Sequence, residues 1–219
     1  MDQNVILVET VPLEFDLESL GCRLRIRPGQ TKFMDRLSRL AEEAARVARP
    51  KAVARLCGLT ILDEEKVQVG EVTFSSPLLR QKMNGLGRAF PYLASEGMEL
   101  ADWSLSLSSS LEQVFASALR EVAVQQAENL LERTLLERYG IAQVSAMNPG
   151  SLKVWSLEEQ VPLFELLAPL PEKLGVTLLP SLMMRPEYSV SGVFFQTDSK
   201  FYNCQLCPKK ECPNRRTPS

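Results

Sequence analysis

The 219-residue sequence contains no histidine. Without an imidazole, a Ser-His-Asp or Cys-His nucleophile is excluded. So are the histidine-containing zinc motifs and any axial imidazole that this chain would give to haem or cobalt. Long apolar runs are missing too. No stretch approaches the roughly 18 uninterrupted apolar residues of a membrane span. The run Val5–Val8, after the polar start Met1-Asp2-Gln3-Asn4, is too short for a signal peptide. Nor is there an excess of one charge. The 25 Lys and Arg against 27 Asp and Glu leave a net −2, which predicts no general attraction to nucleic acid or to an anionic membrane. A cytoplasmic location is the expectation. What is present, 45% apolar and 24% charged residues, is ordinary globular composition, long enough for one large domain or two small ones.

The order of elements predicts an α+β fold, an antiparallel sheet with packed helices. Regular strand–helix alternation is absent, which disfavours a wound α/β sheet. Val5–Val8 reads as an edge strand, Asp16 to Ile26 as a helix, and Thr31 to Ala48 as a longer one with Phe33, Leu37, Leu40, Ala44 and Val47 on one face. Ala52 to Leu59 reads as a further short helix. Residues 1–66 are therefore expected to form a mainly helical N-terminal part. An α+β core over 67–203 follows, with strands or a hairpin in Val67–Phe74, a short helix over Leu78–Leu86 and a buried strand over Ala89–Ala94. Ser109-x-x-Glu112 is a capping box that opens a one-sided amphipathic helix to Tyr139, stopped by Gly140. A second capping box, Ser156-x-x-Glu159, opens a helix that Pro162 delays or kinks. Val176–Leu179 and Ser189–Phe195 read as strands. Glu96, Glu99 and Asp102 read as solvated loop carboxylates, and Asn84-Gly85-Leu86-Gly87 as a turn.

Five cysteines are unevenly placed. Cys22 and Cys57 stand alone and read as core residues, whereas Cys204, Cys207 and Cys212 fall in the tail 204–219. In a reducing compartment, clustered thiols signal metal or redox chemistry more often than disulfides. Two thiols three apart and a third five further on can wrap one metal centre. Lys209, Lys210, Arg215 and Arg216 would favour the thiolates and offset the charge of a cysteinate cluster. A [4Fe–4S] cluster and zinc both suit three close thiolates. The fourth ligand would be Cys22, Cys57, a non-cysteine group or a partner. The spacing C-x2-C-x4-C resembles the first three ligands of the [4Fe–4S] motif in the corrinoid iron–sulfur proteins.

The segment Ser189-Val190-Ser191-Gly192, followed by Phe194-Phe195 and Asp198-Ser199-Lys200-Phe201-Tyr202, resembles the reactivation domain of cobalamin-dependent methionine synthase, whose closing stretch carries S-V-S-G, aromatics and D-S-K-x-Y. The likeness runs from about Phe90 to Tyr202. It implies an α+β activation-domain fold with a shallow groove that binds S-adenosylmethionine and presents it to cob(II)alamin carried by a partner. In that family an R-x-x-P-G-Y loop holds the methionine end of the donor. Here the matching stretch is Ala146-Met147-Asn148-Pro149-Gly150-Ser151, so the turn residues Pro149 and Gly150 are kept while Ala146 replaces the arginine and Ser151 the tyrosine. Arg138 and Arg185 are the candidate substitutes for that arginine.

The expected ligand surface is Pro149, Gly150, Ser189, Val190, Ser191 and Gly192, and the expected metal ligands are Cys204, Cys207 and Cys212. The expected role is an accessory protein in the reductive reactivation of a corrinoid-dependent methyltransferase, with that methyltransferase or a corrinoid-binding protein as partner. The alternative is a zinc-stabilised interaction module that keeps the fold without cofactor chemistry.

Overall fold

The computed structural model describes residues 3–206. In chain order its elements are β1 (Val5–Val8), α1 (Leu17–Arg23), α2 (Thr31–Val47), β2 (Lys51–Arg55), β3 (Cys57–Ile61), β4 (Lys66–Val69), β5 (Val72–Ser75), α3 (Pro77–Lys82) and β6 (Arg88–Ser95). Then come α4 (Met98–Ser106), α5 (Ser110–Tyr139), β7 (Val144–Met147), α6 (Gln160–Leu167), α7 (Leu170–Leu174), the small pair β8 (Thr177–Leu178) and β9 (Met184–Arg185), and β10 (Ser189–Gln196). The expected α+β class and its antiparallel sheet are what the structure has.

Strand β6 is the axis of the sheet. One of its edges pairs with β10, which in turn pairs with β7; the other pairs with β2 and β3, and every pairing is antiparallel. The register Ala54↔Tyr92 continues as Cys57↔Ala89, so β2 and β3 run along β6 as one strand interrupted at Leu56. Beyond that point β3 leaves β6 to form a meander with β4 and β5.

The expected helix over Ala52–Leu59 is thus a pair of strands. Ala52, Val53 and Ala54 are buried on both faces of the sheet, which removes the polar–apolar alternation that marks a half-exposed strand. Pairing with β1 and β6 then overrides the helix preference of alanine, a small term beside tertiary pairing. The N-terminal stretch supplies strands β1, β2 and β3 to the same sheet as β6 and β10, so the sheet crosses the expected boundary at 66/67.

Three cores follow from this arrangement. On one face of the sheet, Val53, Leu93, Val193 and Phe195 pack with Leu163, Leu167 and Leu174 from α6 and α7. On the other, Phe90, Tyr92, Ala94 and Phe194 pack with Ala127, Leu131 and Leu135 of α5. The N-terminal half of α5 belongs to a helical core with Leu37, Leu40 and Ala44 of α2 and Leu100 of α4. Each fully buried Leu or Phe contributes roughly 1.5–3 kcal/mol.

Several helix ends differ from expectation in detail. Ser109 occupies the cap of α5, but its side chain makes no capping bond. Glu112 instead pairs with Arg39 at 2.7 Å, tying α5 to α2. Val114 is exposed and Arg120 is buried, so the helix is not divided into one apolar and one charged face. Gly140 closes α5 in the left-handed conformation at φ 60°. The second capping box is also unformed: a 3-10 turn, Leu157–Glu159, precedes α6, and Pro162 falls in the first turn of that helix, where a missing amide costs least. Cys57 lies in the core as expected, whereas Cys22 is exposed on α1. Among the described residues no helix is long and apolar enough to cross a membrane.

Candidate functional site

The groove between α5, β7, β10 and the segment after β10 has a volume of about 160 Å³. Strand β10 builds its floor. Because successive side chains alternate across a strand, Val190 and Phe194 face α5 and line the groove, whereas Ser191 turns to the opposite face. Between Val190 and Phe194, Gly192 lets the neighbouring strand and a ring approach. A Cβ there would lie 2.6 Å from Asn148 Nδ2 and 2.9 Å from Tyr92 Cε1, as well as against the Met147 carbonyl. The glycine is therefore required by packing: Tyr92 stacks on Phe194 at 3.9 Å between ring centroids only because no side chain intervenes.

Asn148, at the end of β7, joins the walls. Its Nδ2 donates to Tyr92 Oη at 2.8 Å and to the Ser191 carbonyl at 2.9 Å. Tyr92 Oη donates to Glu128 Oε1 of α5 at 2.7 Å. On the far side, Asn203 Nδ2 donates to Asn148 Oδ1 at 3.0 Å and to Ser151 Oγ at 2.9 Å. These bonds draw Tyr202, Asn203 and Cys204 over the groove as its third wall. Phe201 anchors that wall: its side chain is buried and its amide donates to Ser145 Oγ at 2.7 Å. Asn203 Oδ1 is shielded from solvent and meets no donor among the described residues.

The charges of the groove come from α5 and the closing segment. Glu128 and Glu132, one turn apart, line it together with Lys200, which is ion-paired to Glu132. At the opposite end of β10 lies a closed pair. Arg120 Nε and Nη2 donate to the two oxygens of Glu96 at 2.6 and 2.7 Å, and the Tyr188 amide donates to Glu96 Oε1 at 3.2 Å. Burial pushes the Glu96 carboxyl above its ordinary value, against the pull of Arg120 and the Tyr188 amide. Glu96 is therefore a buried structural anion, not the solvated loop carboxylate expected from its neighbours in sequence.

The six residues expected to face a ligand are not all in one place. Val190 lines the groove and Gly192 underlies it. The Ser189 hydroxyl donates to Ser95 Oγ and the Ser191 hydroxyl to Gln160 Oε1, both at 3.0 Å and away from the groove. Pro149 is buried next to Asn148, and Gly150 is exposed at φ 76°, its amide donating to the Trp155 carbonyl at 2.9 Å. Ala146 lines the groove where the resembled loop carries arginine. Neither expected substitute takes its place: Arg138 donates to the carbonyls of Gln3 and Val5, and Arg185 is exposed in β9.

Of the expected metal ligands, Cys204 sits on a 3-10 turn, Asn203–Gln205, at the edge of the groove; Cys207 and Cys212 lie outside the described residues. Among the described residues no three acidic or cysteine side chains converge as a metal site. Glu128, Glu132, Asn148, Phe194 and Asn203 were not expected in the site. The i, i+4 carboxylates on α5 and the aromatic and polar residues flanking D-S-K-x-Y were the available signals.

The architecture defines a class: an α+β protein with an eight-stranded antiparallel sheet held between a long helix and a pair of short ones, and a groove along the long helix. Within that class, the chain resembles a crystal structure described as the MetH reactivation domain bound to AdoHcy, with a TM-score of 0.61 at 17% identity over 90% of this chain and 80% of that one. The expected methionine synthase activation-domain fold is thus the observed fold. No protein-family model and no curated protein sequence matches the chain.

Proposed function

We propose that this chain is an accessory protein for the reductive reactivation of a corrinoid-dependent methyltransferase, and that its groove takes S-adenosylmethionine or the thioether product. The observation that carries this reading is the position of the groove. It lies against the S-V-S-G strand and next to the Pro149-Gly150 turn, the stretches that resemble the methionine synthase domain, in a fold whose solved counterpart is described with AdoHcy bound. Glu128 on the α5 wall suits a sulfonium or ammonium, and the unmet Asn203 Oδ1 suits a ligand N–H.

Size argues for a presenting role. Ordinary small-molecule pockets span roughly 300–1,000 Å³, so a groove of about 160 Å³ holds one end of such a donor and leaves the rest at the surface. A methyl group left at the surface is open to attack by a partner's cobalt. The chain then supplies proximity and orientation, with no nucleophile of its own. A corrinoid carried by the partner would supply the methyl-accepting cobalt once a low-potential donor had given it one electron. This chain's part is to hold the methyl donor so that its methyl group is exposed and the thioether can depart from the groove. The tail cysteines Cys204, Cys207 and Cys212 would bind a [4Fe–4S] cluster able to pass such an electron, and Cys204 borders the groove.

The second reading, a zinc-stabilised interaction module without cofactor chemistry, is favoured by one observation: Ala146 stands on the groove wall where the resembled loop has its arginine. Anaerobic purification of the full chain separates the two. Brown protein with iron and sulfide supports the redox reading, and colourless protein with stoichiometric zinc supports the module. The reactivation reading fails if the anaerobic protein neither binds S-adenosylmethionine nor changes turnover by a corrinoid methyltransferase partner.

A further inference from the structure

We propose that Lys200 is the specificity residue of the groove, holding the carboxylate of an amino-acid ligand in place of an arginine. The inference rests on the adenosyl-ligand reading above and adds which group selects the methionine end. Lys200 is the only cationic side chain lining the groove among the described residues. The β7 wall offers Ala146, and Glu128 and Glu132 bring two negative charges to the α5 wall. A ligand carboxylate entering such a groove meets repulsion unless Lys200 screens it.

The geometry allows that role. Lys200 Nζ is bound to Glu132 and lies 5.8 Å from the centre of the Tyr202 ring, with its side chain 31% exposed. An ammonium carries three donors, so the bond to Glu132 leaves donors for a second acceptor. Phe201, immediately after Lys200, is fixed by the bond from its amide to Ser145 Oγ, so the lysine extends from an anchored backbone. Glu132 then plays a double part: it orients the ammonium and competes with the ligand for it.

The test is a pair of titrations of the full chain, with S-adenosylmethionine and with its decarboxylated analogue, which keeps the sulfonium and amine. Wild type is expected to prefer the carboxylate-bearing ligand. Lys200→Met should weaken S-adenosylmethionine binding about ten- to a hundredfold, the range of a lost charge-assisted contact. It should leave the decarboxylated ligand within about twofold, because that ligand has nothing for the lysine to hold. Glu132→Gln, which removes the competitor, should strengthen S-adenosylmethionine binding severalfold. Unchanged melting of both variants controls for folding. Equal loss of both ligands in Lys200→Met, or no loss of either, overturns the assignment while leaving an adenosyl-ligand groove in place. Failure of wild type to bind either ligand removes the underlying reading, and the assignment with it.

Discussion

Two of the ion pairs made by helix α5 lie near the two ends of β10, and they differ in access to water. Arg120–Glu96 is closed: the two side chains are 9% and 0% exposed, the contact is bidentate, and Tyr188 covers the guanidinium at 4.4 Å from its ring centre. Lys200–Glu132 is open, at 31% and 18% exposure, and lines a groove. The same pairing of charges therefore serves two purposes. In the closed pair Nε and Nη2 of Arg120 and both oxygens of Glu96 are bonded within the protein, and the pair fixes the chain entering β10. In the open pair the ammonium keeps donors for something that is not part of the chain.

That contrast is sharpest in stability. Arg120→Met leaves Glu96 buried without a cation, and the expected loss is about 3–5 kcal/mol, read from denaturant unfolding. Lys200→Met should cost less than about 1 kcal/mol, as for exposed pairs. Equal losses would break the distinction between the two ends. Between these limits lies Gly192→Ala. The added methyl would crowd Asn148, Tyr92 and the Met147 carbonyl, so a loss of about 1–3 kcal/mol is expected, together with loss of ligand binding, because the groove floor must shift.

The smallest effect concerns a carboxylate with no cation. Glu159 accepts from the Ser75 amide at 3.1 Å through Oε1, while Oε2 is shielded without a partner among the described residues. Burial raises its carboxyl above the ordinary value, opposed by that amide and assisted by Glu158. A raised folded-state value means that the folded chain holds this proton more tightly than the unfolded chain does. The group's contribution is thus full at pH below the unfolded carboxylate range and is lost as pH rises through the raised value. Glu159→Gln should remove that decline, so the difference in melting temperature between variant and wild type should move in favour of the variant from acid to neutral pH. A difference independent of pH would contradict the assignment.

Apolar spacing made the helices legible, and runs rich in apolar and aromatic residues the central strands: α2, α5, β6 and β10 fall close to where the sequence places them. Strand β2 was not legible, because its alanines, covered on both faces, carry no period. The site was half legible. The S-V-S-G stretch marks the floor, but the division of its side chains, Val190 to the groove and Ser191 to Gln160, depends on which face α5 covers. Glu96 and Arg120 are 24 residues apart in sequence, and their pairing is a property of tertiary contact alone.

The central claim is that the groove beneath α5 binds an adenosyl ligand. Calorimetric titration of the full chain with S-adenosylmethionine, wild type beside Val190→Trp, tests it most directly. The indole would fill the groove from its floor, so saturable heat is expected from wild type and none from the variant, with melting unchanged. No saturable heat from wild type, or the same affinity in both proteins, would contradict it.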